Sequence, residues 1–290
     1  MKCIINFTPT GMIPTKEMTP FVPVSVREIV EDVLQAADIG ITMVHLHARK
    51  PGNGHPTSSA EVYARIINGI RKHRKDLVIC VSLTGRNVKG FERRAEPLTL
   101  DGELKADMGS LTLSSVNFNK QASINSPDMI RSLLNEMNNR DIMPELEAFD
   151  SGMINYARYL AQKDLLRPPY YFNLVFGNIA CAQADLLHAG VMIRDLPPDS
   201  YWSMGGIGNY QITMNSIAIA AGGGVRVGLE DNIWFDLKRT KLARNSDLIR
   251  RVHSIIEANK REVMKPEELR KLLKLREGHG KYGRTFGEQV

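Results

Sequence analysis

Thr8-Pro9-Thr10-Gly11-Met12-Ile13-Pro14-Thr15 follows the first apolar run of the chain, and its reading separates the two folds that the rest of the sequence allows. An open, doubly wound α/β sheet binds dinucleotides through a glycine-rich turn at this place, with glycines spaced to bring a pyrophosphate against a helix N-terminus. One glycine set among two prolines and three threonines is not that turn. A closed (β/α)8 barrel makes no such demand, because its ligands meet loops from several strands at one face. The expectation is therefore an α/β protein, a single-domain TIM barrel over residues 1–290.

Outward from that turn, short β-branched or apolar runs alternate with helical patterns, the rhythm of βαβ units around a parallel sheet. Eight candidate strands emerge: Cys3–Thr8, Met43–His47, Val78–Leu83, Ser110–Leu113, Met143–Ala148, Tyr171–Val175, Tyr201–Gly205 and Val225–Val227. Helix starts are marked by local chemistry. Ser25-Val-Arg-Glu28 and Ser58-Ser-Ala-Glu61 both fit the capping box, in which hydroxyl and carboxylate satisfy orphan amides reciprocally. Ser126-Pro127 puts proline at a first helical position, and Gly40 is a natural place for the first helix to end.

With 43% hydrophobic and 24% charged residues, the chain has the composition of a folded protein. No stretch approaches the roughly 20 apolar residues that span a bilayer, and the N-terminus lacks the apolar run of an export signal. Cys3, Cys80 and Cys181 are far apart and odd in number, which argues against a disulfide framework. They read as small buried hydrophobes in a reducing cytoplasm. The net charge of +6 gathers at the end, where Lys238 to Val290 holds 15 Lys and Arg against 7 Asp and Glu. Those charges flank helical apolar positions such as Leu248, Val252 and Ile255, so they read as a solvated helix face, or as help in attracting a phosphate-bearing substrate, and not as a nucleic-acid surface. Residues from about 262 onward form a helical or extended tail, whose Gly278, Gly280 and Gly283 suggest packing on a neighbour or mobility.

Met43-Val44-His45-Leu46-His47-Ala48-Arg49 sets two histidines two apart on a strand, so both imidazoles share one face. They fall at the C-terminal strand end, where barrel active sites lie. Two neutral imidazoles suit Zn²⁺, which in catalytic sites takes a third protein ligand and keeps one open position. Gly228-Leu229-Glu230-Asp231-Asn232 follows the eighth strand, and Glu230 is the expected third ligand. His55, His73, His188, His253 and His279 lack such company and read as surface or packing residues.

Glu145 and Glu147 share one face of strand five, serving either an ion-pair network inside the barrel or proton traffic and the positioning of a basic group. Arg226 lies within strand eight, where an unpaired guanidinium would be costly, so it needs a carboxylate from Asp231 or Glu147. An aspartate held by arginine beside a metal is a reasonable general base. Ser82-Leu-Thr84-Gly85-Arg86 and Ser110-Leu-Thr112 place small polar groups at the ends of strands three and four, suited to holding a substrate carboxylate or simply to forming turns.

His45-Leu-His47, Ser82 with Thr84-Gly85, Pro144-Glu-Leu-Glu147 with Ser151-Gly152-Met153, Gly205-Gly206-Ile207-Gly208 and Arg226-Val-Gly-Leu-Glu-Asp-Asn232 together resemble the β-keto acid cleavage enzymes, whose named member is the 3-keto-5-aminohexanoate cleavage enzyme. The resemblance runs from about Cys3 to about Lys260. It implies a zinc-dependent barrel, usually a homotetramer, that converts a β-keto acid and acetyl-CoA into acetoacetate and a new CoA ester, with no redox cofactor. By position, His45, His47 and Glu230 would bind zinc, Asp231 would be the base, and Arg226 and Glu147 would assist it. Ser82, Gly85, Ser110 and Thr112 fall where the family contacts substrate, although this chain has one extra residue around Leu83. The aminohexanoate enzyme has a first-loop glutamate that recognises the substrate's amino group. Ile13 stands there in this chain, which implies a substrate without that amine, with an apolar or differently charged distal end. The alternative is an aldolase- or isomerase-like metal-dependent barrel that keeps the same three ligands and uses no CoA.

Overall fold

The computed structural model describes residues 2–285. Eight parallel strands close into a barrel: β1 (Ile5–Phe7), β2 (Met43–Leu46), β3 (Val78–Val81), β4 (Met108–Thr112), β5 (Met143–Ala148), β6 (Tyr170–Phe176), β7 (Ser200–Gly206) and β8 (Gly224–Val227). They pair in sequence order, and β8 returns to β1 with Asn6 opposite Arg226. All eight expected strands are present, with limits moved by a few residues. No glycine-rich turn was needed because the sheet closes on itself.

Helices α1 (Val26–Ile39), α2 (Ala60–Arg71), α3 (Phe91–Ala95), α4 (Pro127–Asn139), α5 (Ser151–Gln162), α6 (Leu186–Arg194), α7 (Tyr210–Ala220), α8 (Asn245–Ala258) and α9 (Pro266–Leu272) complete the fold. The α1 cap is the expected reciprocal box between Ser25 and Glu28, and Ser126 caps α4 ahead of Pro127. The second box does not form. Helix α2 starts one residue later than the box requires, and the Glu96 carboxylate takes the Ala60 amide at 2.9 Å, the work that Ser58 and Glu61 were expected to share. Two antiparallel hairpins, Ala48–Arg49 with Pro56–Thr57 and Val116–Asn117 with Ala122–Ser123, extend the loops above the strands' C-terminal ends.

The tail closes the other end of the barrel. Met264, Leu269, Leu273 and Leu275 pack against Ile4, Met43, Val78, Met108, Met143 and Tyr171, the lowest inward side chains. Arg270, only 2% exposed, grips both oxygens of Asp107 at 2.9 Å and donates to the carbonyls of Asp76, Leu77 and Arg276. Through residue 285 the tail therefore packs on its own barrel, and residues 286–290 lie outside the described residues. Two of its cations, Arg270 and Arg284, are buried inside this plug. The solvated-face reading holds for α8, whose Leu248 and Val252 point inward, but not for those two. Of the three cysteines, Cys3 and Cys80 are fully buried and Cys181 is half-exposed. Among the described residues, no helix is long and apolar enough to cross a membrane.

Candidate metal centre

Period-two alternation turns Met43 and His45 into the barrel, and His47 follows at the strand's C-terminal end. The two imidazole centroids lie 5.2 Å apart. Glu230 reaches them from the loop after β8, with its Oε1 3.2 Å from His47 Nε2. One ligand atom from each of His45, His47 and Glu230 lies within 4.8 Å of the others. Two buried atoms here lack any hydrogen-bond partner, His45 Nε2 and Glu230 Oε2. Buried polar atoms are rarely left so. Two imidazoles and a carboxylate, with orphaned buried atoms among them, form a donor set that fits a divalent metal ion.

His45, Cys80 and Glu145 form a second, overlapping cluster deeper in the barrel. It is already saturated. Glu145 Oε1 accepts from Asn6 Nδ2 at 2.6 Å and Asn173 Nδ2 at 3.3 Å, while Oε2 accepts from the Cys80 thiol at 3.4 Å and sits 2.5 Å from His45 Nδ1. A carboxylate with four partners offers no position to an ion. Its contact with Nδ1 instead turns the lone pair of His45 Nε2 toward His47 and Glu230. Burial alone would lower the His45 pKa, but the Glu145 carboxylate outweighs it and raises it to about 9. The same pairing outweighs burial at Glu145 and holds its carboxyl below the ordinary value. At His47 burial outweighs the nearby Glu230 carboxylate and pulls the pKa down. Asn6 and Asn173 carried no flag in the sequence, although both occupy inward positions of apolar strands. Cys80, expected as a small hydrophobe, is in addition a donor to Glu145.

Arg226 rises from β8 beneath the acidic pair. Its Nε donates to Asp231 Oδ2 at 2.7 Å, and its Nη2 donates to Asp231 Oδ1 at 3.1 Å and to Glu230 Oε1 at 2.7 Å. Glu147 Oε1 is 4.0 Å from Nη1. Both carboxylates proposed for this arginine are thus present, and Glu230 adds a third. Burial penalises the carboxylates unequally. Glu230, against Arg226 and both histidines, is held well below its ordinary range. Asp231 is pushed up by burial and by Glu230, against the pull of Arg226. Glu147 is also pushed up by burial. The loop carrying the acids is fixed from below by Gln211, whose amide donates to Gly228 O at 2.8 Å, and by Asn245, which accepts the Leu229 amide at 2.8 Å.

The expected substrate-side residues divide. Ser82 lines a narrow cleft with Met12, His47, Thr84 and Val88, beside the histidines. Thr112 donates to Glu147 Oε2 at 2.6 Å and so reaches the site through that carboxylate. Ser110 lies lower, and its hydroxyl accepts the Leu83 amide at 3.0 Å, tying β4 to the end of β3. Gly85 packs where a Cβ would come within 2.6 Å of Ile124 O and 2.7 Å of Arg94 Nη1, so a side chain does not fit without movement. Sequence reading missed Arg49, which ties down the first loop by donating to Gly11 O at 3.0 Å and Pro14 O at 2.9 Å. Gly11, at φ +61°, lies so close to Glu230 that a Cβ would stand 2.5 Å from its Cγ.

A family model described as beta-keto acid cleavage enzyme matches residues 2–275. The 3-oxoadipate:acetyl-CoA acetyltransferase of Cupriavidus necator is 37% identical over 276 residues, covering 94% of this chain and 95% of that protein. The 3-keto-5-aminohexanoate cleavage enzyme of Fusobacterium nucleatum is 32% identical over 277 residues, covering 95% and 98%. Among solved structures, the binary complex of ObcA with oxaloacetate superposes with a TM-score of 0.76 at 18% identity, over 88% of this chain and 67% of that one, a likeness of fold.

Proposed function

The chain belongs to the beta-keto acid cleavage enzyme family, and from that premise we propose that it transfers the acetyl group of acetyl-CoA to a β-keto acid, giving acetoacetate and a new CoA ester. The observation that carries this reading is the convergence of two orphaned ligand atoms, His45 Nε2 and Glu230 Oε2, beside an aspartate held by arginine. His45, His47 and Glu230 would hold Zn²⁺. A divalent ion there supplies Lewis acidity that stabilises negative charge on a keto oxygen.

Asp231 is the base. Its carboxyl, pushed up by burial, has more proton affinity than an exposed aspartate, while the Arg226 fork keeps it ionised and aimed. It takes a proton from the carbon between the substrate's carboxylate and keto groups. That carbon bonds to the acetyl carbon, and CoA thiolate leaves. Thiolate then attacks the former keto carbon, the bond between that carbon and its neighbour breaks, and Asp231 returns the proton to the departing acetoacetate. Glu147, bridged by Thr112 and next to Arg226, helps fix the charge on the fork. Ser82 and the Gly85 turn form the wall for the reacting carboxylate. With Ile13 in the first loop, 49% exposed, the substrate carries no distal amine. Assembly as a homotetramer belongs to the same reading, and light scattering tests it.

The test is acetoacetate formation from a panel of β-keto acids, with and without acetyl-CoA, on zinc-loaded protein and on Glu230→Gln. Product that requires acetyl-CoA and disappears in the variant supports the reading. Cleavage without a thioester would favour the aldolase-like alternative.

A further inference from the structure

Arg49, Arg94 and Arg226, all near the open end of the barrel, are occupied. Arg49 holds carbonyls of the first loop, Arg94 donates to Leu83 O, Ile124 O and Asn125 Oδ1, and Arg226 holds the acidic pair. Arg86 differs. Among the described residues, no hydrogen bond or ion pair reaches its guanidinium, which lies 3.5 Å from the ring centroid of Phe118. Phe118 is itself braced edge-on against Phe149, with centroids 5.9 Å apart and rings at 87°. The stacking fixes the plane of the fork without using its donors. The backbone at its root is also fixed, because the Arg86 amide donates to Thr84 Oγ1 at 3.3 Å.

This guanidinium faces the site. Burial disfavours its charge, and the carboxylates Glu230, Glu147 and Asp231 are the groups that sustain it. Those acids are committed to Arg226 and to the ligand set, so none of them closes an ion pair with Arg86. A half-buried fork without partners is unfavourable until something with two acceptor oxygens completes it, and a carboxylate is the natural complement. The facing wall adds a second condition. Met12 and Val88 line the cleft, and Ile13 stands exposed beside it, so nothing there would receive an ammonium.

Resting on the acetyl-transfer reading, we propose that Arg86 determines specificity by binding a second, distal carboxylate, so that the substrate class is a β-keto dicarboxylate. The keto acid end meets His45, His47 and Glu230, methylenes run along the apolar cleft wall, and the far carboxylate docks on the fork held by Phe118.

The experiment compares 3-oxoadipate with 3-oxohexanoate, a monoacid of equal length, on wild type, Arg86→Gln and Arg86→Lys. Adipate binding by calorimetry supplies a readout that needs no turnover. For Arg86→Gln the diacid should lose roughly 10- to 100-fold in kcat/KM, mainly through KM, with the monoacid within about twofold. Arg86→Lys, which keeps charge and loses the fork, should fall between. Adipate should bind wild type and fail to bind Arg86→Gln. Equal losses for both acids, a rise confined to the KM of acetyl-CoA, or equal adipate affinity in the two proteins would overturn the assignment. Monoacid turnover persisting alongside any of these leaves the acetyl-transfer reading standing. Absence of acetoacetate from every acid sinks that reading instead, and the adipate titration still decides whether Arg86 receives a carboxylate.

Discussion

Replacing Glu145 by glutamine should weaken zinc binding although Glu145 is not itself a ligand. Both asparagine donors, Asn6 Nδ2 and Asn173 Nδ2, go to the same oxygen, Oε1. They therefore select the glutamine rotamer whose carbonyl stays with them, and its NH₂ lands where Oε2 now meets His45 Nδ1. A donor facing Nδ1 forces the imidazole proton onto Nε2, the atom needed by the metal. Binding zinc then requires flipping the amide against two donors or accepting an N–H facing an N–H. Either costs about 1–3 kcal/mol, which matches the roughly 10- to 100-fold loss typical when a ligand histidine loses its carboxylate partner. Competition against a chromogenic chelator measures it. The titration belongs at about pH 9 or just above, because the wild-type His45 pKa of about 9 makes protons compete with metal at lower pH. Thr112→Val, which disturbs Glu147 without touching His45, is the control. An affinity within twofold of wild type in a folded Glu145→Gln protein would refute this account of how His45 is aimed.

Gly11→Ala forces a Cβ to within 2.5 Å of Glu230 Cγ at a residue with φ +61°, so bound zinc measured after dialysis should fall by at least about tenfold while the far-ultraviolet spectrum stays native. Arg270→Met leaves the buried Asp107 charge without its bidentate partner and should cost about 3–5 kcal/mol in urea unfolding. Zinc affinity, set at the barrel's opposite end, should not change. Burial pushes the Asp32 carboxyl up to about 6 despite its hydrogen bond from Asn245. Below about pH 4 it is largely protonated in folded and unfolded chains alike; between about pH 4 and 6 the unfolded chain ionises while the folded chain resists, so stability falls across that window and the loss is complete above it. Asp32→Asn should therefore raise the melting temperature at pH 8 by an amount worth roughly 1–3 kcal/mol, and by little at about pH 3.5. An equal gain at both would reject the assignment.

The barrel was legible because its signals are local. Each strand is a short apolar run between helices, and Ser25 with Glu28 caps α1 through groups three residues apart. The failures were places where a distant residue took over a local task. Glu96, 36 positions from Ala60, supplies the cap expected of Ser58 and Glu61. Asp107 and Arg270, 163 positions apart, turn a tail that reads as polar and glycine-rich into a plug. Short-range patterns cannot rank such partners, since the stagger of the closed sheet decides which groups come level.

The same distinction runs through the site. His45 and His47 share a face by the period of a strand, and Glu230 and Asp231 sit beside Arg226 because four and five residues separate them. Glu145 is different: its position in strand five shows that it points inward, but not that it stands against His45, 100 residues earlier. That pairing follows from register, which places Glu145 level with Ser110 on one side and Tyr171 on the other. Arg86 is harder still, because what matters is a missing partner. A sequence can show that an arginine is near acids, but only the assembled loops show that those acids are committed to Arg226 and that Phe118 leaves the fork open. The catalytic end of the substrate is thus written in short-range spacing, while its distal end is written in contacts between separate loops. Relatives that keep the first can therefore diverge in the second without disturbing the chemistry.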